Sequence, residues 1–90
     1  MEADMLEQEV IIPNKLGLHA RAAAKLVKVA SAHAAQVTLL KDGQEVNGKS
    51  IMGVMMLAAS QGTTLRLRTS GPDEQVAMEA LLALIADRFG

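Results

Sequence analysis

Ninety residues, half of them apolar, make one small domain that buries about three-fifths of its unfolded-chain surface, so residues 1–90 are read as a single domain. Cysteine is missing and Phe89 is the only Phe, Tyr or Trp residue; this excludes a disulfide framework and a thiolate metal site, and leaves a core of Leu, Ile, Val, Met and Ala. Nine basic against ten acidic groups give a net charge of −1, which argues against nucleic acid, where a basic face and stacking aromatics are needed.

The first predicted element is a strand from Leu6 to Ile12, with Leu6, Gln8, Val10 and Ile12 on one side, closed by Pro13 and Asn14. A helix follows from about Ala20 to Ala32, burying Ala23, Ala24, Val27 and Ala30. Arg21, Lys25 and Lys28 form one basic row on it; on pattern alone such a row is a solvated face, but this one starts beside His19. Gln36 to Lys41 and Gln44 to Asn47 are short strands around Asp42-Gly43, a strong two-residue hairpin signal. Ser50 opens a short helix from Ile51 to Ala58. Thr64 to Thr69 alternates as a strand, with Leu65 and Leu67 inward and Arg66 and Arg68 outward. Pro72 stands at the first position of a last helix reaching about Arg88, with Asp73 and Glu74 complementing its dipole.

The element order is β-α-β-β-α-β-α, an α+β open-faced sandwich; the order of strands in the sheet stays open at this point. No apolar run approaches the roughly 18 residues of a membrane span, and the acidic start Met1-Glu2-Ala3-Asp4 is unlike a signal peptide. The expectation is a cytoplasmic monomer without membrane insertion.

Chemistry concentrates at Gly17-Leu18-His19-Ala20-Arg21. His19 falls at a helix N-cap or first turn, where backbone N–H groups lack partners and the dipole favours an anion. The backbone of Ala20, Arg21 and Ala22, with the Arg21 guanidinium, is a candidate phosphate cradle beside an imidazole, a side chain that can offer an unprotonated ring nitrogen as nucleophile. Without its flanking glycine and arginine, His19 would read simply as a helix cap. His33, far along the same helix, has nothing converging on it and reads as structural or solvent-exposed. Two distant histidines and no cysteine give no metal site, and no cofactor is expected.

Two motifs, Gly17-Leu18-His19-Ala20-Arg21 and Val46-Asn47-Gly48-Lys49-Ser50-Ile51-Met52-Gly53-Val54-Met55, resemble the HPr family of phosphocarriers of the bacterial phosphoenolpyruvate-dependent sugar phosphotransferase system, and the likeness covers essentially the whole chain. The resemblance implies a four-stranded antiparallel sheet in the order 1-4-2-3 with three helices on one face. It implies that His19 takes a phosphoryl group on Nδ1 from phosphorylated enzyme I and passes it to a histidine of a IIA protein or domain, with Arg21 accompanying it. Such a carrier is not a free-standing enzyme.

Ser50 matches the serine that a Ser-directed HPr kinase/phosphorylase modifies in many members. Ile51, Met52 and Met55 match an apolar docking patch, and Leu18, Lys25 and Lys28 complete the expected partner-binding set. The family usually has Pro in place of Ala22 and often Ser or Asn in place of Leu16. The spelling Asn14-Lys15-Leu16-Gly17 also resembles the nitrogen-branch paralogue. The alternative function is therefore a regulatory phosphoprotein that binds partners according to its phosphorylation state, without sugar transport.

Overall fold

The structure, a computed structural model, describes residues 5–90; the acidic start Met1-Glu2-Ala3-Asp4 lies outside them. The elements are β1 (Leu6–Ile11), α1 (Ala20–Ser31), β2 (Gln36–Lys41), β3 (Gln44–Asn47), α2 (Ile51–Met56), β4 (Thr64–Ser70) and α3 (Glu74–Ala86). The four strands pair antiparallel in the order β1-β4-β2-β3, as the family resemblance implies. Alternation explains the register: Leu65 and Leu67 of β4 face Val10 of β1 and Leu39 of β2, and all lie on the core side. Thr69, also inward, is fully buried and donates its hydroxyl to the Glu74 carbonyl at 2.9 Å, so no polar group is stranded there.

Leu26 of α1, Val54 of α2 and Leu81 of α3 meet the strands in one apolar cluster, with Phe89 at its rim. The opposite face of the sheet stays open and polar, with Glu7 accepting from Arg66 at 2.6 Å and pairing with Arg68 at 3.5 Å. The Asp42-Gly43 turn takes positive φ at both residues, as a two-residue hairpin requires.

Several sequence expectations shift. The buried stripe of α1 is Ala22, Ala23, Leu26 and Ala30, while Ala24 is exposed and Val27 half-buried. Leu26 is the bulky residue that sets the phase; Ala24, two positions from both Ala22 and Leu26, is turned about 200° away from each. The α2 helix stops at Met56 because Leu57 tucks into the core, its carbonyl taken by Lys41 Nζ at 2.9 Å, and Ala58 turns left-handed at φ 51°.

The third shift is at α3, which starts at Glu74 with Asp73 as N-cap, so Pro72 precedes the helix instead of opening it. The Asp73 carboxylate is used across the fold, accepting the N–H groups of Ala34 and Ala35 at 3.0 and 2.8 Å, while Glu74 accepts from Gly71 N–H at 3.0 Å. Finally, α3 ends at Ala86, short of Arg88. The edges of β1 and β4 differ from expectation by one residue, at Ile12 and Ser70.

Candidate functional site

The site begins in the loop between β1 and α1. Asn14 bridges it, donating Nδ2–H to the Gly17 carbonyl at 2.6 Å while its own carbonyl accepts Gly17 N–H at 3.1 Å. Gly17 has φ +65°, and a Cβ there would collide with the Ala59 carbonyl oxygen and lie 2.8 Å from Ser60 Cα. Only glycine allows the loop to press so closely on the segment after α2. Leu18 then bonds its N–H to the Ala59 carbonyl at 2.8 Å and sinks its side chain into the core, 5% exposed. Leu18 was expected on the partner surface; burial removes its side chain from it, and its part is to anchor the residue that follows.

That residue, His19, is the N-cap of α1, with φ −72° and ψ 176°, and its Nδ1 accepts the Arg21 N–H at 3.2 Å. A ring nitrogen that accepts an N–H carries no proton, so in the neutral ring the proton sits on Nε2. The first intrahelical bond runs from Ala23 N–H to the His19 carbonyl at 2.8 Å. The N–H groups of Ala20, Arg21 and Ala22 therefore precede the helical ladder and converge on the histidine end.

Leu16, His19, Arg21, Ala22 and Lys25 line an open cleft of about 290 Å³. Leu16, 74% exposed, brings an apolar wall to it, and the Arg21 side chain is exposed. Lys25 is half-buried and donates Nζ–H to the Phe89 carbonyl at 2.8 Å; Lys28, one turn further, is exposed. Arg88 also borders the cleft, and no local sequence signal points to it, because its place depends on how the chain reverses after α3. His33 is half-buried and its Nδ1 lies 2.9 Å from the Val29 carbonyl. Among the described residues no three His, Cys, Asp or Glu side chains gather as a metal site, and no helix is long and apolar enough to cross a membrane.

Ser50 caps α2, its Oγ accepting Gly53 N–H at 3.1 Å. Val54 is buried under the helix, whereas Ile51 (44%), Met52 (71%), Met55 (41%) and Met56 (66%) are exposed. Met56 extends the expected patch. Its signal was present in the sequence, since it stands four residues after Met52 and shares its helix face. The segment leaving α2 is the one that Gly17 and Leu18 press against, so the methionine helix and the histidine cap adjoin.

A family model described as the PTS HPr component phosphorylation site matches residues 6–87. The chain is 60% identical over 86 residues to the phosphocarrier protein HPr of Cupriavidus necator, covering 96% of this chain and 97% of that one. It is 49% identical over 81 residues to the HPr-like protein Crh of Halalkalibacterium halodurans, covering 90% and 96%. The crystal structure of HPr-C-His from Thermoanaerobacter tengcongensis superposes with a TM-score of 0.92 at 47% identity, over 94% of this chain and 96% of that one. Sequence and fold thus agree, and the chain belongs to the HPr family, the phosphocarriers of the phosphotransferase system.

Proposed function

We propose that His19 is the residue that carries the phosphoryl group, on Nδ1, taking it from phosphorylated enzyme I and giving it to a histidine of a IIA protein or domain. The observation that carries this reading is the acceptor state of Nδ1 at the start of α1. The nitrogen has a free electron pair, and that pair points at backbone donors. In the transfer, this pair forms the new N–P bond while the N–P bond to the donor histidine breaks, returning its electron pair to the departing ring. The phosphoryl group then takes the place of Nδ1 as acceptor for Arg21 N–H, with the N–H groups of Ala20 and Ala22 and the Arg21 guanidinium as further donors. Phosphoryl transfer asks a protein for positioning and charge stabilisation, and this arrangement offers both.

The partners meet the surface formed by Lys25, Lys28, Ile51, Met52 and Met55, to which Met56 is added. Exposed methionines adapt to several partner shapes, which suits a carrier that docks on a donor and then on acceptors. Ser50 is the regulatory position. It caps α2 and directly precedes the exposed Ile51 and Met52, so a phosphate there acts at the edge of the methionine patch.

The test is incubation of the full chain with phosphoenolpyruvate and enzyme I, read by intact mass. Gain of one acid-labile phosphoryl group, mapped to His19, is the expected result. No gain, or a gain that survives in His19→Ala, defeats the reading.

A further inference from the structure

We propose that Arg88 is a second guanidinium for the phosphoryl group carried by His19, brought to the cleft by a hook at the end of α3. The hook is built from two successive residues with positive φ, Arg88 at 55° and Phe89 at 62°, neither of them glycine. Side chains rarely tolerate that backbone, so the surroundings must impose it. They do so at several points. Arg88 N–H bonds the Ile85 carbonyl and Phe89 N–H the Leu84 carbonyl, both at 2.9 Å. The Phe89 ring is 5% exposed in the core cluster, and its carbonyl is held by Lys25 Nζ at 2.8 Å.

With Phe89 seated and its carbonyl tied to α1, the neighbouring Arg88 is exposed and borders the same cleft as His19 and Arg21. Neither arginine side chain has a hydrogen bond or ion pair among the described residues. The cleft is lined by Arg21, Lys25 and Arg88, and by no Asp or Glu side chain. Lys25 is already held at the Phe89 carbonyl and lies beside Gly90, which also lines the cleft, so Arg21 and Arg88 are the cations left without a partner among the described residues, and a phosphoryl group close to doubly charged is an anion that suits them. Arg88 takes no part in bond making; it binds the phosphoryl group in the carrier state. The inference rests on the reading that His19 accepts phosphate.

The experiment is a 31P NMR titration of the isolated phosphorylated full chain, wild type against Arg88→Ala, Arg88→Lys, Phe89→Ala and, as a charge-matched control on the open sheet face, Arg66→Ala. Loss of Arg88 is expected to raise the second ionisation of the phosphoryl group by about 0.2–0.7 pH unit, the range an exposed ion pair supports. Arg88→Lys should recover part of the shift, and Arg66→Ala should match wild type. The shift should shrink as salt is raised. Phe89→Ala leaves the charge in place but frees the hook, and should reproduce the Arg88→Ala shift. Identical titrations for Arg88→Ala and Arg66→Ala overturn the proposal. So does an Arg88→Ala variant whose only change is a higher KM for enzyme I, which would place Arg88 on the partner instead. If wild type gains no phosphoryl group at all, the reading of His19 itself falls, a result distinct from an unmoved titration.

Discussion

At the scale of single residues, His19 caps α1 and is the proposed phosphoryl acceptor, two roles that substitution can separate. His19→Asn keeps a side-chain acceptor able to cap α1 and removes the nucleophile. Its thermal stability should stay within about 1 kcal/mol of wild type, with no phosphoryl uptake by intact mass. His19→Ala loses the cap as well and should melt lower, by at most about 1–2 kcal/mol. Ala22 offers a complementary test, because the family usually carries proline there. Ala22 is the third residue of α1, its N–H lies before the helical ladder, and its side chain borders the open cleft despite being 1% exposed. Proline at that position sacrifices no intrahelical bond. Ala22→Pro should therefore keep its helical circular dichroism and lose less than about tenfold in transfer rate, equal to under about 1.4 kcal/mol of barrier. The expected small loss is that of one N–H donor to the phosphoryl group.

At the scale of elements, the contact between the β1–α1 loop and the segment after α2 decides where His19 points. Gly17→Ala puts a methyl into the Ala59–Ser60 backbone at a positive φ. The left-handed backbone alone costs about 1–3 kcal/mol, and a domain of this size loses roughly 4–8 °C of Tm per kcal/mol. A melt lowered by roughly 8 °C or more, with slowed phosphotransfer, is expected; an unchanged melt would mean that the loop can lift off Ala59 freely. In α2, Ser50→Asp keeps an N-cap oxygen for Gly53 while placing a charge at the edge of Ile51, Met52 and Met55. Its stability should stay near that of wild type, whereas enzyme I should bind more weakly because a charge now borders an apolar contact. Calorimetric titration of enzyme I against both proteins measures this, and equal affinities would remove the regulatory role of Ser50.

At the scale of the whole molecule, Asp73 joins the start of α3 to the link between α1 and β2. The Ala34 N–H, and then that of Ala35, hold its carboxyl below the usual aspartate range, against a desolvation effect that raises it. A depressed folded-state pKa stabilises the fold above the unfolded value of about 3.9, and that contribution is lost as pH falls below it. Asp73→Ala should lower Tm at neutral pH, and its difference from wild type should narrow progressively below about pH 4. Thermal melts at several pH values measure it. A difference that stays constant into strong acid would show that packing, not the ionised carboxylate, ties these segments together.

The sequence alone determined the element order, the hairpin at Asp42-Gly43, the cap at Ser50 and the place of His19 at the start of α1, because turn and cap chemistry is local; the structure then made His19 the N-cap. The family resemblance added the strand order, which no local rule supplies. Only the tertiary structure decided which apolar positions face inward: Leu18 and Leu26 are drawn into the core while Ala24 is left in solvent. Local patterning reads Asp73 as a first-turn acid complementing the dipole of the last helix, but folding brings Ala34 and Ala35 within its reach and gives its carboxylate to them. Arg88 reaches the histidine cleft for the same kind of reason. Burial of Phe89 and the grip of Lys25 on its carbonyl, 64 residues away along the chain, bend the backbone there, and a contact of that sequence separation leaves no mark on the local pattern.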